Sequence, residues 1–154
     1  MYTESLTERF GFNGGFIKPQ NIVGGSTVNS DAIDMSRFNR AIGIFWLGNA
    51  GPSCSWTMQI QQSSINTTSF TSMSGFVTPA MTSANTLGTV EVRRDQMAQS
   101  MRYLRMQVVD SAGAGTTNSG IMALLVGMDA RYEPAQKYND TAVVLGNNQV
   151  QPTP

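Results

Sequence analysis

Histidine is absent from the 154-residue chain, and cysteine occurs once, as Cys54. The first absence removes the commonest general base and the commonest metal ligand of proteins. A single thiol excludes an intrachain disulfide bond and a thiolate zinc site. A serine nucleophile would need a lysine partner, and lysine occurs only as Lys18 and Lys137, outside the predicted core. We therefore expect a protein that is not an enzyme and that carries no metal and no cofactor.

Charge is also scarce, because charged residues make up 13% of the chain and the formal net charge is zero. An average protein has about twice that charged fraction. A neutral chain has no general electrostatic attraction to nucleic acid or to an anionic membrane. The longest apolar stretch, residues 121–126, is far shorter than a membrane span, and residues 1–20 lack the apolar segment of a signal peptide. We expect no nucleic acid, membrane or small-molecule substrate as partner, and synthesis in a cytoplasm without secretion.

Carboxylates are the remaining candidates for chemistry. Asp31 and Asp34 lie in a predicted turn before the first core strand, and Glu91 lies beside Arg93 and Arg94. Two carboxylates can hydrolyse a glycosidic bond or bind calcium together with carbonyl oxygens. Asp31 and Asp34 lack the glycine-centred loop of a calcium site, and the position of Glu91 favours a solvated ion pair. The sequence therefore assigns no catalytic or metal-binding role to these residues.

Apolar and polar residues alternate along much of the chain with the two-residue period of β-strands. Glycine, proline and asparagine separate the alternating segments, and one helical turn is expected within residues 93–100. The pattern predicts six strands, and up to eight in total. The six lie at residues 37–47, 54–61, 69–77, 85–92, 103–109 and 120–128. We expect an all-β, single-domain β-sandwich of jelly-roll type over residues 31–135.

Burial or exposure of the two tryptophans distinguishes a structural sandwich from a carbohydrate-binding one. Trp56 alternates with polar neighbours on a strand whose apolar parity includes Met58 and Ile60, which assigns it to the core. Trp46 lies in a run that is apolar on both faces, as in a central strand, and is also assigned to the core. An exposed tryptophan would instead favour a carbohydrate-binding module, since sugars stack on aromatic rings.

The chain is expected to carry a segment outside the sandwich at each end. Residues 1–30 place Phe10, Phe12 and Phe16 among glycines, which predicts an extended N-terminal arm whose aromatic rings dock into grooves. The same pattern fits a terminal segment that wraps around its own domain, and the sequence leaves both interpretations open. Residues 136–154 form the predicted C-terminal tail.

Arginine outnumbers lysine among the basic residues, and its planar guanidinium group is favoured at protein interfaces. We take Arg93, Arg94, Arg131 and Tyr132, with the three N-terminal phenylalanines, as candidate interface residues. The alternative is ion pairing at strand ends within the fold.

Four segments together resemble a known type of protein. They are an acidic turn at residues 31–38, a strand at residues 56–63 followed by Phe70, the strand at residues 102–108, and residues 130–135. Over about residues 31–135 the chain resembles the jelly-roll decoration, or cement, proteins of tailed bacteriophages.

This resemblance implies a structural virion protein on the capsid exterior. Such a subunit would be a homotrimer that binds the major capsid protein and stabilises contacts between capsomers, and the family has no catalytic residues to carry over. Two alternatives stay open. One is a carbohydrate- or host-binding β-sandwich module, and the other is a ring protein of the tail or of the head closure.

Overall fold

The computed structural model describes residues 15–111 and 118–130, and the backbone of residues 10 and 11. These residues form ten strands and a short 3-10 turn at Arg94–Gln96. The strands are β1 Phe10–Gly11, β2 Phe16–Val23, β3 Thr27–Asn29, β4 Ile33–Asp34, β5 Phe38–Asn49, β6 Trp56–Ser63, β7 Thr71–Val77, β8 Thr86–Arg93, β9 Tyr103–Asp110 and β10 Asn118–Ala130.

The strands form two antiparallel sheets. In the first sheet, β10 lies between β5 on one side and the strands β1 and β2 on the other, and β8 forms the edge beyond β5. In the second sheet, β9 lies between β6 and the short pair β3 and β4, and β7 forms the far edge. Successive strands repeatedly change sheet, which is the connectivity of a jelly roll. The predicted all-β sandwich of jelly-roll type is confirmed.

The core lies between the two sheets and is built from strictly alternating residues. On β6, Trp56, Met58 and Ile60 are fully buried, as their alternation with polar residues predicts. On β9, Leu104 and Met106 pair in register with β6 and are buried to the same extent.

The first sheet contributes its own inward parity to the same core. Phe45 and Leu47 on β5 are fully buried, and Leu125 lies on the neighbouring strand β10. Gly127 lies where a Cβ atom would overlap the ring of Phe38, so β10 passes close to that ring only because residue 127 lacks a side chain.

The predicted arm over residues 1–30 is wrong for its second half. Strand β2 pairs with β10 from Phe16 to Val23, and Ile17 is 2% exposed within the core. Strand β3 then pairs with β9 in the other sheet. This part of the chain wraps its own domain because Ile17 and Ile22 supply apolar surface to the sandwich.

Several predictions fall outside the described residues. They concern the interface roles of Phe12, Arg131 and Tyr132, the tail at residues 136–154, and the arm over residues 1–9.

A substitution at Ile17 distinguishes, in solution, an extended N-terminal arm from a segment that packs on its own domain. Replacing it by alanine removes buried apolar volume, so Ile17→Ala should lower the free energy of unfolding by about 3 kcal/mol. The exposed neighbour Lys18 provides the control, and Lys18→Ala should change stability by less than about 0.5 kcal/mol. Urea titration followed by tryptophan fluorescence measures both. Equal stability of the two variants would show that residues 16–23 do not form part of the folded sandwich.

Candidate functional site

The outward parity of the first sheet is apolar around Trp46, whereas Arg40, Thr89, Glu91 and Arg93 occupy the same face toward the other end of β5 and β8. Met122, Trp46 and Leu87 are direct cross-strand neighbours on β10, β5 and β8. We call this surface the outer apolar face. It consists of Phe16, Val23, Ile42, Ile44, Trp46, Leu87, Met122 and Leu124.

Trp46 is exposed on this face, so its predicted place in the core is wrong. Its neighbours Phe45 and Leu47 have the inward parity and are fully buried, which turns Trp46 outward. Trp46 is 46% exposed, Leu87 66% and Val23 51%. These three side chains lie toward the same end of the sheet, on β5, β8 and β2.

A shallow depression of about 390 Å³ borders the tryptophan ring. Its floor contains Gly48 and Gly120, which lack side chains and so leave the space open. Gln20 and Asn21 of β2 also line the depression. The depression therefore combines an aromatic ring with polar groups that donate and accept hydrogen bonds.

The outer face of the second sheet has the opposite character. Its amide side chains form a ladder across neighbouring strands. The side-chain nitrogen of Gln107 donates to Oδ1 of Asn29 at 2.9 Å, and its oxygen accepts from Gln59 and, at 3.1 Å, from Gln61. These side chains hydrogen-bond to one another, and Gln61 among them is buried. The two outer faces of the sandwich are therefore chemically different.

Arg105 ends this ladder. Its Nε donates to Oε1 of Gln61 at 2.8 Å, and its guanidinium lies 4.3 Å from the centre of the Phe70 ring. Burial lowers the pKa of Arg105. Phe70, which formed part of the sequence resemblance, therefore packs within the fold.

The candidate interface residues that the structure describes do not form one cluster. Arg93 makes an ion pair with Asp95 at 3.3 Å, as in the alternative of pairing within the fold. Nη1 of Arg94 lies 3.7 Å from the sulfur of Met97. Phe16 lies half-buried on the outer apolar face, and Phe10 belongs to β1. An interface role for these residues stays a prediction.

Asp34 has a structural role. Arg102 holds its carboxylate with two hydrogen bonds, from Nε at 2.9 Å and from Nη2 at 2.5 Å, and the backbone N–H of Ser36 adds a third at 2.9 Å. Burial opposes ionisation of this carboxyl group, but the hydrogen bonds outweigh it and lower the pKa of Asp34 to about 2. The pair fastens β4 to the start of β9.

Within residues 15–111 and 118–130, no three acidic or cysteine side chains come close enough to hold a metal ion. No helix in this part of the chain has the length and apolar character needed to cross a membrane.

No protein-family model and no curated protein matches the chain. Among solved structures, the PBSX exported protein XepA matches with a TM-score of 0.51 and 13% identity over 90% of this chain. The match spans 42% of the XepA chain. The SPBc2 prophage-derived protein YomS has a TM-score of 0.39 and 8% identity, covering 74% of this chain and 93% of YomS. A xylan-binding domain of carbohydrate-binding family 22 has a TM-score of 0.41 and 9% identity, covering 75% and 86%. At such identities the likeness concerns the fold alone.

The Asp34–Arg102 pair predicts an acid-sensitive part of the stability. Because folding lowers the pKa of Asp34, its contribution is fully present above the unfolded value near 3.8 and is lost as the pH falls toward about 2. Asp34→Asn should cost about 1 kcal/mol at neutral pH, since Arg102 is half exposed, and should lose stability less steeply than the wild type below about pH 4.

Thermal unfolding between about pH 6 and pH 2 measures this slope. Arg102→Gln removes the same ion pair and should flatten the slope in the same way. A wild-type slope in Asp34→Asn would show that the carboxylate is not held by the guanidinium.

Proposed function

We propose that the chain is a non-catalytic structural protein of a phage virion, which binds other proteins through the outer apolar face. In its specific form, the protein is a decoration subunit on the capsid exterior. It is a homotrimer, binds the major capsid protein and stabilises the contacts between capsomers.

Exposure of Trp46 by itself favours a carbohydrate-binding module, and it supports this proposal through the apolar side chains of Leu87 and Met122 on both sides of the ring. A large contiguous apolar patch is rarely exposed on a soluble monomer, and such a patch marks an interaction site. Binding energy at protein interfaces concentrates in a few central residues, among which tryptophan is enriched. Here Leu87 and Met122 flank the tryptophan on both neighbouring strands and would exclude water from it once a partner covers the face.

The scarcity of charge around Trp46 supports a partner that is itself a protein with an apolar surface. Interface centres are depleted of charged residues, and charges near the outer apolar face lie at its margin, where Arg40 and Glu91 form an exposed ion pair at 3.3 Å. The jelly-roll fold itself occurs in viral capsid proteins and in lectins, so it is compatible with the proposal without selecting it.

Replacing Trp46 tests the decoration function. Trp46→Ser should reduce occupancy on purified heads of the phage that encodes the chain at least tenfold, because a central tryptophan contributes about 2 kcal/mol or more. The exposed side chain of Ile65, 50% accessible on a loop of the second sheet, provides the control. Ile65→Ser should bind as the wild type does.

Quantitative gel analysis of heads recovered from a density gradient measures the bound copies. Circular dichroism and thermal unfolding check that both variants fold. A folded Trp46→Ser variant with wild-type occupancy would remove the outer apolar face from capsid binding.

A second candidate function is carbohydrate binding in the depression beside Trp46. The observation that favours it is the 46% exposure of Trp46, as a sugar platform requires, beside a depression that Gln20 and Asn21 also line. An indole ring offers a sugar an apolar platform, and the amides match its hydroxyl groups.

The amide residues distinguish the two functions. Under the carbohydrate hypothesis, the double variant Gln20→Ala, Asn21→Ala should weaken binding to a glycan array roughly tenfold, because two hydrogen bonds are lost. Under the decoration hypothesis, the wild type shows no glycan binding and the double variant retains its occupancy on heads. Loss of glycan binding without any effect on heads would make the carbohydrate module the correct assignment.

A further inference from the structure

The outer face of the second sheet contains an arginine whose charge no carboxylate neutralises. Nε of Arg105 donates to Gln61, but Nη1 and Nη2 of Arg105 make no hydrogen bond within the described part of the chain. Arg40, Arg93 and Arg102 each pair with a carboxylate, whereas none of the ion pairs among the described residues includes Arg105. The guanidinium of Arg105 is therefore available to an anion from outside the domain.

This guanidinium is held in place from two sides. Gln61, which accepts its Nε–H, is only 6% exposed and is itself fixed by a hydrogen bond to Gln107 at 3.1 Å. The ring of Phe70 lies 4.3 Å from the guanidinium carbon. A side chain that is already fixed loses little conformational freedom when it binds a ligand. The free edge of the planar group presents two nitrogens, whose spacing matches the two oxygens of a carboxylate.

Neutral hydrogen-bonding groups lie beside the arginine. Gln107 is two residues along β9, and Asn29 and Gln59 are its neighbours on the adjoining strands. The amide ladder uses the oxygen of Asn29 and the nitrogen of Gln59, and the nitrogen of Asn29 and the oxygen of Gln59 make no hydrogen bond among the described residues. Two strand spacings, about 10 Å, separate these two residues. One end of the row therefore has an unused donor, and the other has an unused acceptor.

These groups favour a sugar chain over a protein or a nucleic acid. A hydroxyl group both donates and accepts, so it matches either end of the row. The centre of a protein interface is apolar, but here the exposed Val77 lies at the edge of the sheet, beyond Gln59. Nucleic acid needs several cations along its phosphates, and this face presents one unpaired arginine. The matching ligand is a polyhydroxyl chain that carries carboxylates.

We propose that the outer face of the second sheet binds an acidic polysaccharide. One uronate carboxylate binds Nη1 and Nη2 of Arg105, and sugar hydroxyls bind the amides of Asn29 and Gln59. This site lies on the opposite sheet from Trp46, so it goes beyond both functions proposed above. The protein can then contact another protein through one sheet and an acidic polysaccharide through the other.

Polygalacturonate and its methyl ester test the ligand class with the full-length chain. The ester keeps the sugar ring and its free hydroxyls but has no charge. The wild type should therefore bind polygalacturonate at least about tenfold more tightly, because a hydrogen bond to a charged group is lost in the ester. Isothermal titration calorimetry measures both affinities. Equal affinity for the two polymers overturns the proposal, and so does a lack of binding to polygalacturonate, alginate and hyaluronate alike.

A pair of arginine variants locates the site. Arg105→Gln should weaken binding of polygalacturonate at least about tenfold. Arg93→Gln removes the same charge from an exposed position on the first sheet and should bind as the wild type does. Circular dichroism checks that both variants fold. An equal loss in the two variants would show only general charge attraction and would overturn the proposal.

A further variant keeps the test valid if Arg105→Gln does not fold. Asn29→Ala removes one exposed amide and should weaken binding of polygalacturonate about threefold or more. Unchanged affinity in this variant contradicts the assignment of the amide row.

Trp46→Ser separates this site from the depression on the first sheet and should bind polygalacturonate as the wild type does. A loss of binding in Trp46→Ser would place the polysaccharide beside Trp46 and overturn the proposal. Arg105→Gln should also keep wild-type occupancy on phage heads. Reduced occupancy, together with no polysaccharide binding by the wild type, would assign Arg105 to a protein contact instead.

Discussion

Strands β5 and β10 are apolar on both of their faces, but a sandwich of two sheets has only one interior. Their ladder runs from Phe38 and Ala130 to Asn49 and Gly120, and it forms the middle of the first sheet. Burying one parity builds the core and necessarily leaves the other parity in contact with water. The second sheet reduces this conflict because the amides of Gln59, Gln61 and Gln107 on its outward face hydrogen-bond to one another. The molecule therefore has one face that water solvates well and one that a partner would stabilise.

The fold was predictable because most strands carry an alternating pattern, and the same pattern explains the error at Trp46. On β6 the polar residues between Trp56, Met58 and Ile60 mark the outward parity, so the tryptophan was assigned correctly. On β5 both parities are apolar, and hydrophobicity alone does not tell which of Phe45 and Trp46 points inward. The fully buried Phe45 and Leu47 settle that choice in the structure. The exposure of Trp46 could therefore not be predicted, because both parities of β5 are apolar, and the same double apolar pattern is what places an apolar residue on the outer face.

Strand β2 was missed for a different physical reason. Its sequence contains Lys18 and Pro19 after a glycine-rich stretch, which locally opposes a strand in the middle of a sheet. At an edge, however, one side of the strand needs no partner, and a proline is tolerated there. What determines β2 is its pairing with β10, about a hundred residues away, together with the burial of Ile17. Such long-range pairing produces no pattern in the local sequence from which the strand could be predicted. The interface residues had no comparable signal, because ion pairs such as Arg93 with Asp95 depend on neighbours that only the fold brings together.

The position of β10 and β9 at the centres of the two sheets has a consequence for biosynthesis. Among the described residues these are the last two strands in chain order, yet β10 joins β2 to β5, and β9 joins β3 and β4 to β6. Until they leave the ribosome, each sheet lacks its middle and the earlier strands have no common partner. The domain must therefore fold after most of it has been translated, through distant contacts that form slowly. In that interval β5 has β8 available on one side but lacks β10 on the other, so apolar residues that the complete sheet covers are exposed to aggregation.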